Sequence, residues 1–557
     1  MTVQPAPLQV LPGGSPLPKG FPDWAALTGA SEAWRRREPG RRGKVLIATN
    51  IGGHGPVSVL ESTLAAALAL RDAEVEVVLC DAALPGCLRA EFSDIPDDAV
   101  IVKRRLPRTF CPTCFGRGQA MFDPLGLKVH RLAALITDEE RETADRIAAS
   151  VAAEKVPDFE FEGLKVGEHA YAGALRYYTR GDLSGEPNGR LVLRRYLEAA
   201  ILSVFAYRRL LDRGGYDIAV FHHGLYVPQG LVGEVCRAKG VRVVNWVVAY
   251  RANSFILSHG DTYHHTLMTE PVSDWEGMAW GERQRQEISD YLKSRWQGSR
   301  DWIGFHERPD EDAAALVRQL GLDPARPVIG MLSNVVWDAQ LHYPANAFPS
   351  LIDWVEHTLR YFARRPDLQL LLRIHPAEIR GTAPSRQPLA EEIARRFGQL
   401  PANVFVIPPE SPVSTYAAME LCDSVLIYGT KTGVELAAVG IPVVVAGEAW
   451  IKNKGLTLDA SSPEAYDALL DQLPLRRRLE PEVVERALKY AYHFFFRRMM
   501  PLPFLKKVAS TLFFTPDIAS ADALAEGQDA ALDLMCEAIL EDCPFVYPAE
   551  RLGLHDR

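Results

Sequence analysis

Short apolar runs alternate with segments of helical period along most of the chain. The strand-like runs lie at 44–50, 74–82, 218–221, 241–250, 328–332, 370–374, 403–407, 425–427 and 443–446. Glycine and proline bound most of these runs, and amphipathic stretches such as 347–367 separate them. Continuous apolar strands that alternate with helices are typical of parallel sheets covered on both faces. The pattern therefore predicts an α/β fold.

The length of the chain adds a second domain to this prediction, because 557 residues exceed what one ordinary domain holds. We expect two Rossmann-like domains that face each other across a cleft. The predicted parts are an N-terminal arm at 1–42, an acceptor domain at 43–255 with a helical insertion at about 105–190, an interdomain crossing at 256–320, a nucleotide-sugar donor domain at 321–475, and C-terminal helices at 476–557.

Polar residues follow the strands of the second half. His375 ends the strand in LLLRIHPAE, and Glu378 comes shortly after it. The turn YGTKTG opens a helix and presents the hydroxyls of Thr430 and Thr432. Ligands of parallel sheets sit beyond the carboxyl ends of the strands, and the N–H groups that open a helix favour anions. These features predict a site for a nucleotide monophosphate or diphosphate.

Three further residues of this region complete the predicted donor site. Lys431 adds positive charge, Gly433 offers its backbone N–H to phosphate, and Glu435 is placed to accept hydrogen bonds from a ribose. In the simpler alternative, one of the two threonines caps the helix and Glu435 completes the capping pattern. Lys454 follows the next strand, so we also expect it to neutralise phosphate.

The first half carries polar residues at the same kind of position. Gly52, Gly53 and His54 follow the first strand, and His223 follows the strand at 218–221. A neutral imidazole at His54 could take a proton from an acceptor hydroxyl, or it could simply bond to its own loop. One of the histidines at 222 and 223 is expected to line the acceptor side. We expect no metal site, since no carboxylate lies at a fitting spacing.

The segments RIHPAE, YGTKTGVELAAVGIPVVVAG and KGLTLDASSPEAY resemble the donor-binding half of bacterial capsular-polysaccharide glycosyltransferases. These enzymes have the GT-B fold, and the resemblance extends to sialyl- and Kdo-type transferases with a His-Pro motif and a later Ser/Thr motif. It implies that His375 contacts the donor phosphate, that Thr430 and Thr432 occupy the Ser/Thr motif, and that Glu435 holds the ribose. This chain has Gly-Thr-Lys-Thr where many relatives have adjacent serines, which leaves the nucleotide open.

The same resemblance extends to loops on both sides of the cleft. The segment SNVVWDAQ is similar to a family loop, so Asn334 would bind donor phosphate and Asp338 would orient the acceptor, unless Asp338 only caps a helix. Gly52 and Gly53 resemble glycine-rich acceptor-side loops, in which a substrate approaches the backbone closely. Catalysis would then be metal-independent, with His54 as the leading base, Asp338 as the second candidate, and no cofactor beyond the nucleotide-sugar co-substrate.

Composition and charge narrow the classes of function. A formal charge of −9 argues against a nucleic-acid partner, which requires a basic surface. Eight cysteines in so long a chain indicate a reducing compartment, and Cys111 and Cys114 in CPTCFGRG are expected to lie in a turn, with zinc or redox chemistry as the lesser alternative. No run of about 20 apolar residues predicts a membrane span. We expect a cytoplasmic protein.

One C-terminal segment is a candidate for a peripheral contact with a membrane. Residues 486–507 mix aromatic residues, methionines and cations, which is typical of an interfacial segment but equally of a helix packed across two domains. The sequence as a whole predicts a glycosyltransferase that moves a sugar from a nucleotide-activated donor to a capsular-polysaccharide or lipid-linked acceptor. The alternatives are a GT-B-fold sugar-nucleotide epimerase or hydrolase, and a non-catalytic scaffold of a capsule assembly machine.

Overall fold

The computed structural model describes residues 21–296, 301, 310–338, 345–381, 383–475, 478–508 and 514–554, without the side chains of residues 263, 264 and 296. Its strands are β1 (Lys44–Asn50), β2 (Glu74–Leu79), β3 (Lys128–Arg131), β4 (Ile218–His222), β5 (Arg242–Val248), β6 (Ser254–His259), β7 (Val328–Leu332), β8 (Gln369–Arg373), β9 (Val404–Ile407), β10 (Ser424–Ile427), β11 (Val443–Val445), β12 (Leu458–Asp459), β13 (Met500–Pro501), β14 (Leu505–Lys507) and β15 (Phe514–Pro516).

Helices connect almost all of these strands. They are α1 (Trp24–Gly29), α2 (Glu32–Arg36), α3 (Gly55–Ala69), α4 (Ala99–Val102), α5 (Leu106–Thr109), α6 (Cys111–Phe122), α7 (Asp138–Ser150), α8 (Val166–Tyr178), α9 (Gly189–Gly214), α10 (Gln229–Ala238), α11 (Tyr263–Thr269), α12 (Ser273–Glu276), α13 (Glu282–Trp296), α14 (Ala313–Leu320), α15 (Leu351–Phe362), α16 (Ala377–Arg380), α17 (Leu389–Phe397), α18 (Thr415–Glu420), α19 (Thr432–Ala438), α20 (Pro463–Leu470), α21 (Pro481–Tyr492), α22 (Ala530–Glu541) and α23 (Ala549–Leu552). Short 3₁₀ turns lie at Asp123–Leu125, Leu132–Leu135, Ala153–Lys155 and Ala521–Leu524, and α21 continues into a π-helix at His493–Arg498.

The first sheet has the order β13-β6-β5-β4-β1-β2-β3. The pairs from β5 to β3 are parallel, whereas β6 and β13 add antiparallel strands at one edge. The buried side chains of β1 and β4 explain this arrangement, since both strands are covered on both faces and read as continuous apolar runs. This sheet is the core of a Rossmann-like domain.

The second sheet has the order β12-β11-β10-β7-β8-β9, and all of its pairs are parallel. Helix α15 covers one face with the side chains of Trp354, Val355 and Leu359, all nearly or fully buried. The predicted α/β fold with two Rossmann-like domains is confirmed.

The first and the last described segments of the chain both pack on the first domain. Trp24 of α1 is 1% exposed, and its indole N–H donates to Ser62 Oγ of α3 at 3.0 Å. The predicted helical insertion also contributes β3, which pairs in parallel with β2 at the sheet edge. The predicted C-terminal helices return to this domain as well, because β13 pairs with β6 through Met500 and Phe255. The domain boundaries themselves stay a prediction.

The segment 486–507 differs from the interfacial alternative. Phe494, Phe495, Phe496, Met499 and Met500 are all fully buried inside the chain. Their apolar surface is therefore occupied by protein packing, which supports the packed-helix alternative and leaves these side chains unable to enter a membrane surface. No helix in the described part of the chain is long and apolar enough to cross a membrane.

Candidate functional site

Each sheet reverses its strand order at one place, and the predicted site residues follow the strands on either side of these places. In the first sheet β1 and β4 are neighbours, although β2 and β3 extend one way and β5 and β6 the other. In the second sheet β7 and β10 have the same relation. Ligands of open α/β sheets bind in the crevice beyond the strand ends at such switch points. The candidate site therefore draws on the loops after β1 and β4 in the first domain and on those after β7, β10 and the adjoining β8 in the second.

Three histidines lie at the switch point of the first sheet. His54 follows β1 at the start of α3, His222 is the last residue of β4, and His223 follows it. The ring centroids of His54 and His222 are 5.7 Å apart, and those of His222 and His223 are 5.4 Å apart. His223 adopts a left-handed backbone conformation with φ of 64°, which turns the chain sharply after the strand.

Burial keeps these imidazoles neutral. Desolvation, followed by the positive charges of Arg176 and Arg89, lowers the pKa of His54 to about 4. Desolvation and the charge of Arg176 lower the pKa of His223 to about 3. Desolvation also lowers the pKa of His222 well below its ordinary value. A neutral imidazole can accept a proton, so His54 has the protonation state that its predicted role as a base requires.

A direct hydrogen bond joins the two switch points. The Tyr226 hydroxyl, in the loop after β4, donates to Asp338 Oδ1, in the loop after β7, at 2.9 Å. The Arg176 guanidinium lies over the Tyr226 ring at 5.2 Å and over the Trp337 ring at 5.6 Å, and it pairs with Glu91 at 2.9 Å. Asp338 therefore lies at the domain junction, among aromatic and cationic groups.

His375 lies in the loop after β8, the strand that pairs with β7 beside the switch point of the second sheet. Its backbone N–H donates to Ser333 Oγ at 3.0 Å, and its Nδ1 accepts from the Ala377 N–H at 3.0 Å. Because Nδ1 is an acceptor, the proton of the neutral ring is on Nε2. Burial, then the nearby charges of Lys431 and Arg373, lower the pKa of His375 to about 4, while Asp338 opposes this shift.

The turn after β10 holds its hydroxyls together. Thr430 Oγ1 lies 3.2 Å from Thr432 Oγ1 and accepts from the Thr432 N–H at 3.3 Å. Lys431, not a threonine, occupies the N-cap position of α19, and no side chain caps the helix there, so the capping alternative is wrong. In the neighbouring loop after β7, Asn334 Oδ1 is buried and has no hydrogen-bond partner among the described residues. The turn and Asn334 therefore present oxygen and amide groups at the same switch point.

Glu435 stands in a buried ion cluster. Its Oε1 lies 2.8 Å from Lys431 Nζ and 3.2 Å from Arg295 Nε, and the Tyr416 hydroxyl donates to Oε2. Burial alone would raise the pKa of Glu435, but Arg295 and Lys431 lower it to about 2. In this arrangement the Glu435 carboxylate already pairs with two cations and accepts a hydrogen bond from a hydroxyl. The predicted contact with a ribose stays a prediction.

Three other residues predicted for the donor site have structural partners. The carboxylate of Glu378 accepts from the Leu389 N–H at 3.2 Å, at the start of α17. The Lys454 ammonium is almost fully buried and donates to the carbonyls of Met268 and Glu270. A Cβ on Gly433 would lie 2.6 Å from Ile427 Cδ1, so this glycine lets α19 pack on the sheet. These contacts use two of the three ammonium protons of Lys454 and hold the side chain in the interior, so its predicted phosphate contact stays a prediction.

The glycines after β1 allow a helix, rather than a substrate, to come close. A Cβ on Gly52 would lie 2.4 Å from Gly118 Cα, and the Gly53 N–H donates to Cys114 Sγ at 3.1 Å. Both contacts are with α6. The expectation that CPTCFGRG forms a turn is wrong, because Cys111 opens α6 and the segment continues as a helix to Phe122.

Among the residues that the structure describes, no three His, Cys, Asp or Glu side chains are grouped so that they could hold a metal ion.

The sequence did not point to two residues of this site. Tyr226 lies in the loop after β4 in a stretch without a motif, and Arg295 lies on α13 in the predicted crossing. Nothing in their spacing links them to Asp338 or Glu435. Only the way in which the crossing folds back on the second domain brings Arg295 to the cluster.

Comparisons with known proteins give distant structural likenesses. No protein-family model and no curated protein matches the chain. The β-Kdo 2,4 transferase of Thermosulfurimonas dismutans KpsC is 14% identical with a TM-score of 0.35, over 56% of this chain and 88% of that one. The β-Kdo 2,7 transferase of the same KpsC is 11% identical with a TM-score of 0.31, over 58% and 90%. The UDP-GlcNAc 2-epimerase of Neisseria meningitidis is 9% identical with a TM-score of 0.22, over 81% and 95%. At such low values these likenesses carry no argument about activity.

Proposed function

We propose that this protein is a glycosyltransferase that moves a sugar from a nucleotide-activated donor to a surface-polysaccharide or lipid-linked acceptor. The observation that carries the proposal is the meeting of the two switch points. There the Tyr226 hydroxyl donates to Asp338 at 2.9 Å, and the charge of Asp338 partly offsets the lowering of the His375 pKa. A transferase needs an acceptor and a donor side by side, and each Rossmann-like domain offers one strand-end site to this junction.

On the donor side, the proposal assigns the phosphates to groups after β8 and β10. His375 carries its proton on Nε2, so it can donate one hydrogen bond to a phosphate oxygen without bearing a charge. Lys431 supplies positive charge nearby, and the hydroxyls of Thr430 and Thr432 supply further donors. Preorganised donors of this kind stabilise the negative charge that develops on a leaving nucleotide.

On the acceptor side, a neutral His54 removes the proton of the attacking hydroxyl. Its lowered pKa leaves it unprotonated throughout the neutral range, so it accepts a proton only as the new glycosidic bond forms. Asp338 is the second candidate for this step, and its bond from Tyr226 fixes its direction. Arg176 lies beside both groups and can orient an acceptor oxygen.

A nucleotide panel followed by product analysis tests this proposal. Thermal shift with CMP, UDP and GDP should identify one stabilising nucleotide, and NMR should then show that the matching nucleotide-sugar is consumed only when a glycan acceptor is present. Consumption without an acceptor would instead indicate an epimerase or hydrolase. Stabilisation by none of the three nucleotides would favour a non-catalytic scaffold.

A further inference from the structure

A fully buried carboxylic acid lies behind the acceptor-side histidines. Glu61 is on α3, seven residues after His54, and therefore lies about two turns along the same helix face. Its exposed fraction is 0%. The Trp246 indole N–H donates to Glu61 Oε1 at 2.9 Å, whereas Oε2 has no hydrogen-bond partner among the described residues. The Thr49 hydroxyl and the His222 backbone approach the carboxyl and favour its ionised form, so Oε2 meets only these looser contacts. A poorly satisfied carboxyl oxygen in a packed core costs free energy, so its retention points to a use.

The groups that surround Glu61 connect it to the histidines. The Trp246 ring, on β5, lies 4.7 Å from the His222 ring, which in turn lies 5.7 Å from the His54 ring. The backbone of His222 on β4 and the hydroxyl of Thr49 on β1 face the same carboxyl. Tyr207 on α9 lies near enough for the charge of Glu61 to raise the pKa of its hydroxyl. Thr49 Oγ1 is buried without completing a hydrogen bond. All of these facing groups are uncharged.

The two imidazoles also have unused nitrogen atoms. Nδ1 of His54 and Nδ1 of His222 are buried and have no hydrogen-bond partner among the described residues. An imidazole whose second nitrogen is not held can exchange tautomers, and its basicity then follows the nearest charge. Glu61 is the acid placed to supply that charge from inside the domain.

We propose that Glu61 is a positioning residue of the acceptor side, which acts through Trp246 and His222 to orient the histidine pair and to make His54 more basic when Glu61 is ionised. This inference rests on the proposed function, in which His54 takes the acceptor proton. No group is transferred to Glu61 itself, and its carboxylate acts through its charge and its hydrogen bond.

The protonation state of Glu61 changes in the neutral range. Burial raises its pKa to about 7, although Thr49, Trp246 and the His222 backbone oppose the shift. Below that pH the carboxyl is neutral and the histidines face no buried charge. Above it a negative charge appears behind His222. Seven helix positions separate Glu61 from His54, roughly 10 Å along α3. A unit charge at that separation raises a neighbouring pKa by about one unit at an effective dielectric constant near 20, so the basicity of His54 should rise roughly tenfold.

Chemical labelling of the folded, full-length chain tests the inference without any assumption about turnover. Diethyl pyrocarbonate acylates neutral imidazoles, and peptide mass spectrometry reports its rate at each histidine. In the wild-type chain the labelling rate of His54 should rise roughly tenfold between pH 6 and pH 8 beyond the rise at His357, a partly buried histidine paired with Asp467 at 2.6 Å. In Glu61→Gln, which keeps an oxygen for the Trp246 bond, this excess rise should disappear. Identical His54 profiles in both proteins would overturn the proposal.

The transfer reaction separates this inference from the proposed function. With an active donor and acceptor pair, kcat/KM of the wild-type enzyme should rise through about pH 7, and that of Glu61→Gln should be flat there, while calorimetric donor affinity is equal in both. Coincident kinetic profiles would count against Glu61 alone. Absence of any transfer, with the labelling difference intact, would count against the proposed function alone.

Discussion

Replacing Glu435 with glutamine removes one negative charge from the buried cluster at the start of α19. Glutamine keeps the size of the side chain, so the packing around position 435 changes little. The side chains of Glu435 and Arg295 are only 1% and 4% exposed, and that of Lys431 is 17% exposed. The substitution therefore removes one of the two carboxylates that face these buried cations and leaves only Asp301, which pairs with Arg295.

Two estimates give the same magnitude for this loss. The pKa of Glu435 is lowered from 4.5 to about 2, which linkage converts into roughly 3 kcal/mol of folding stability. Removing one partner of a buried ion pair typically costs about 3–5 kcal/mol. Because the folded-state pKa is the lower one, this stability is fully present above pH 4.5 and is lost as the pH falls toward 2.

Urea unfolding followed by tryptophan fluorescence measures the effect. We expect Glu435→Gln to lose about 3 kcal/mol near pH 7, and we expect the difference from wild type to shrink as the pH falls below 4.5. The matched control is Glu32→Gln, because Glu32 and Arg36 have the same spacing but are 67% and 80% exposed. That control should change stability by no more than about 0.5 kcal/mol. Equal effects of the two substitutions, or a Glu435 effect that ignores pH, would refute the reasoning.

Three other substitutions have defined outcomes. His375→Ala should weaken nucleotide binding roughly tenfold to a hundredfold in calorimetry, since a hydrogen bond to charged phosphate is lost, whereas His357→Ala on the surface of α15 should leave it unchanged. Gly52→Ala should lower the melting temperature, because its Cβ would lie 2.4 Å from Gly118 Cα, and Gly29→Ala, with no atom within 4 Å, should not. Burial raises the pKa of Glu378 to about 7, so wild-type stability should fall as the pH rises from 4.5 to 7, and thermal unfolding of Glu378→Gln should show a smaller fall, because Glu61 keeps its own contribution.

The strand-end sites were predictable because their signals are local. The apolar runs around β8 and β10 predict strands, and a polar turn that opens a helix can lie only at the carboxyl edge of such a strand. His375 and Thr430 could therefore be placed from the sequence alone. The positions of the switch points could not be predicted, because they depend on the strand order. That order is set by the pairing of strands far apart in the chain, and no single segment encodes it.

The prediction that failed, and the alternative that the sequence could not decide, both concern packing between distant segments. Pro112 and the glycines of CPTCFGRG indicate a turn by local preference, yet the segment forms α6, because Gly52 and Gly118 let two backbones approach closely. The aromatic residues at 494–496 have the composition of a membrane-surface segment and of a domain core alike. Burial decides between these two possibilities, and burial is a property of the folded chain.

The location of a bound nucleotide tests the central claim most directly. A crystal structure with the nucleotide that gives the largest thermal shift should place its phosphates at the switch point of the second sheet, within hydrogen-bonding distance of His375 Nε2 and beside Lys431. Phosphates bound away from the loops that follow β7, β8 and β10 would contradict the account.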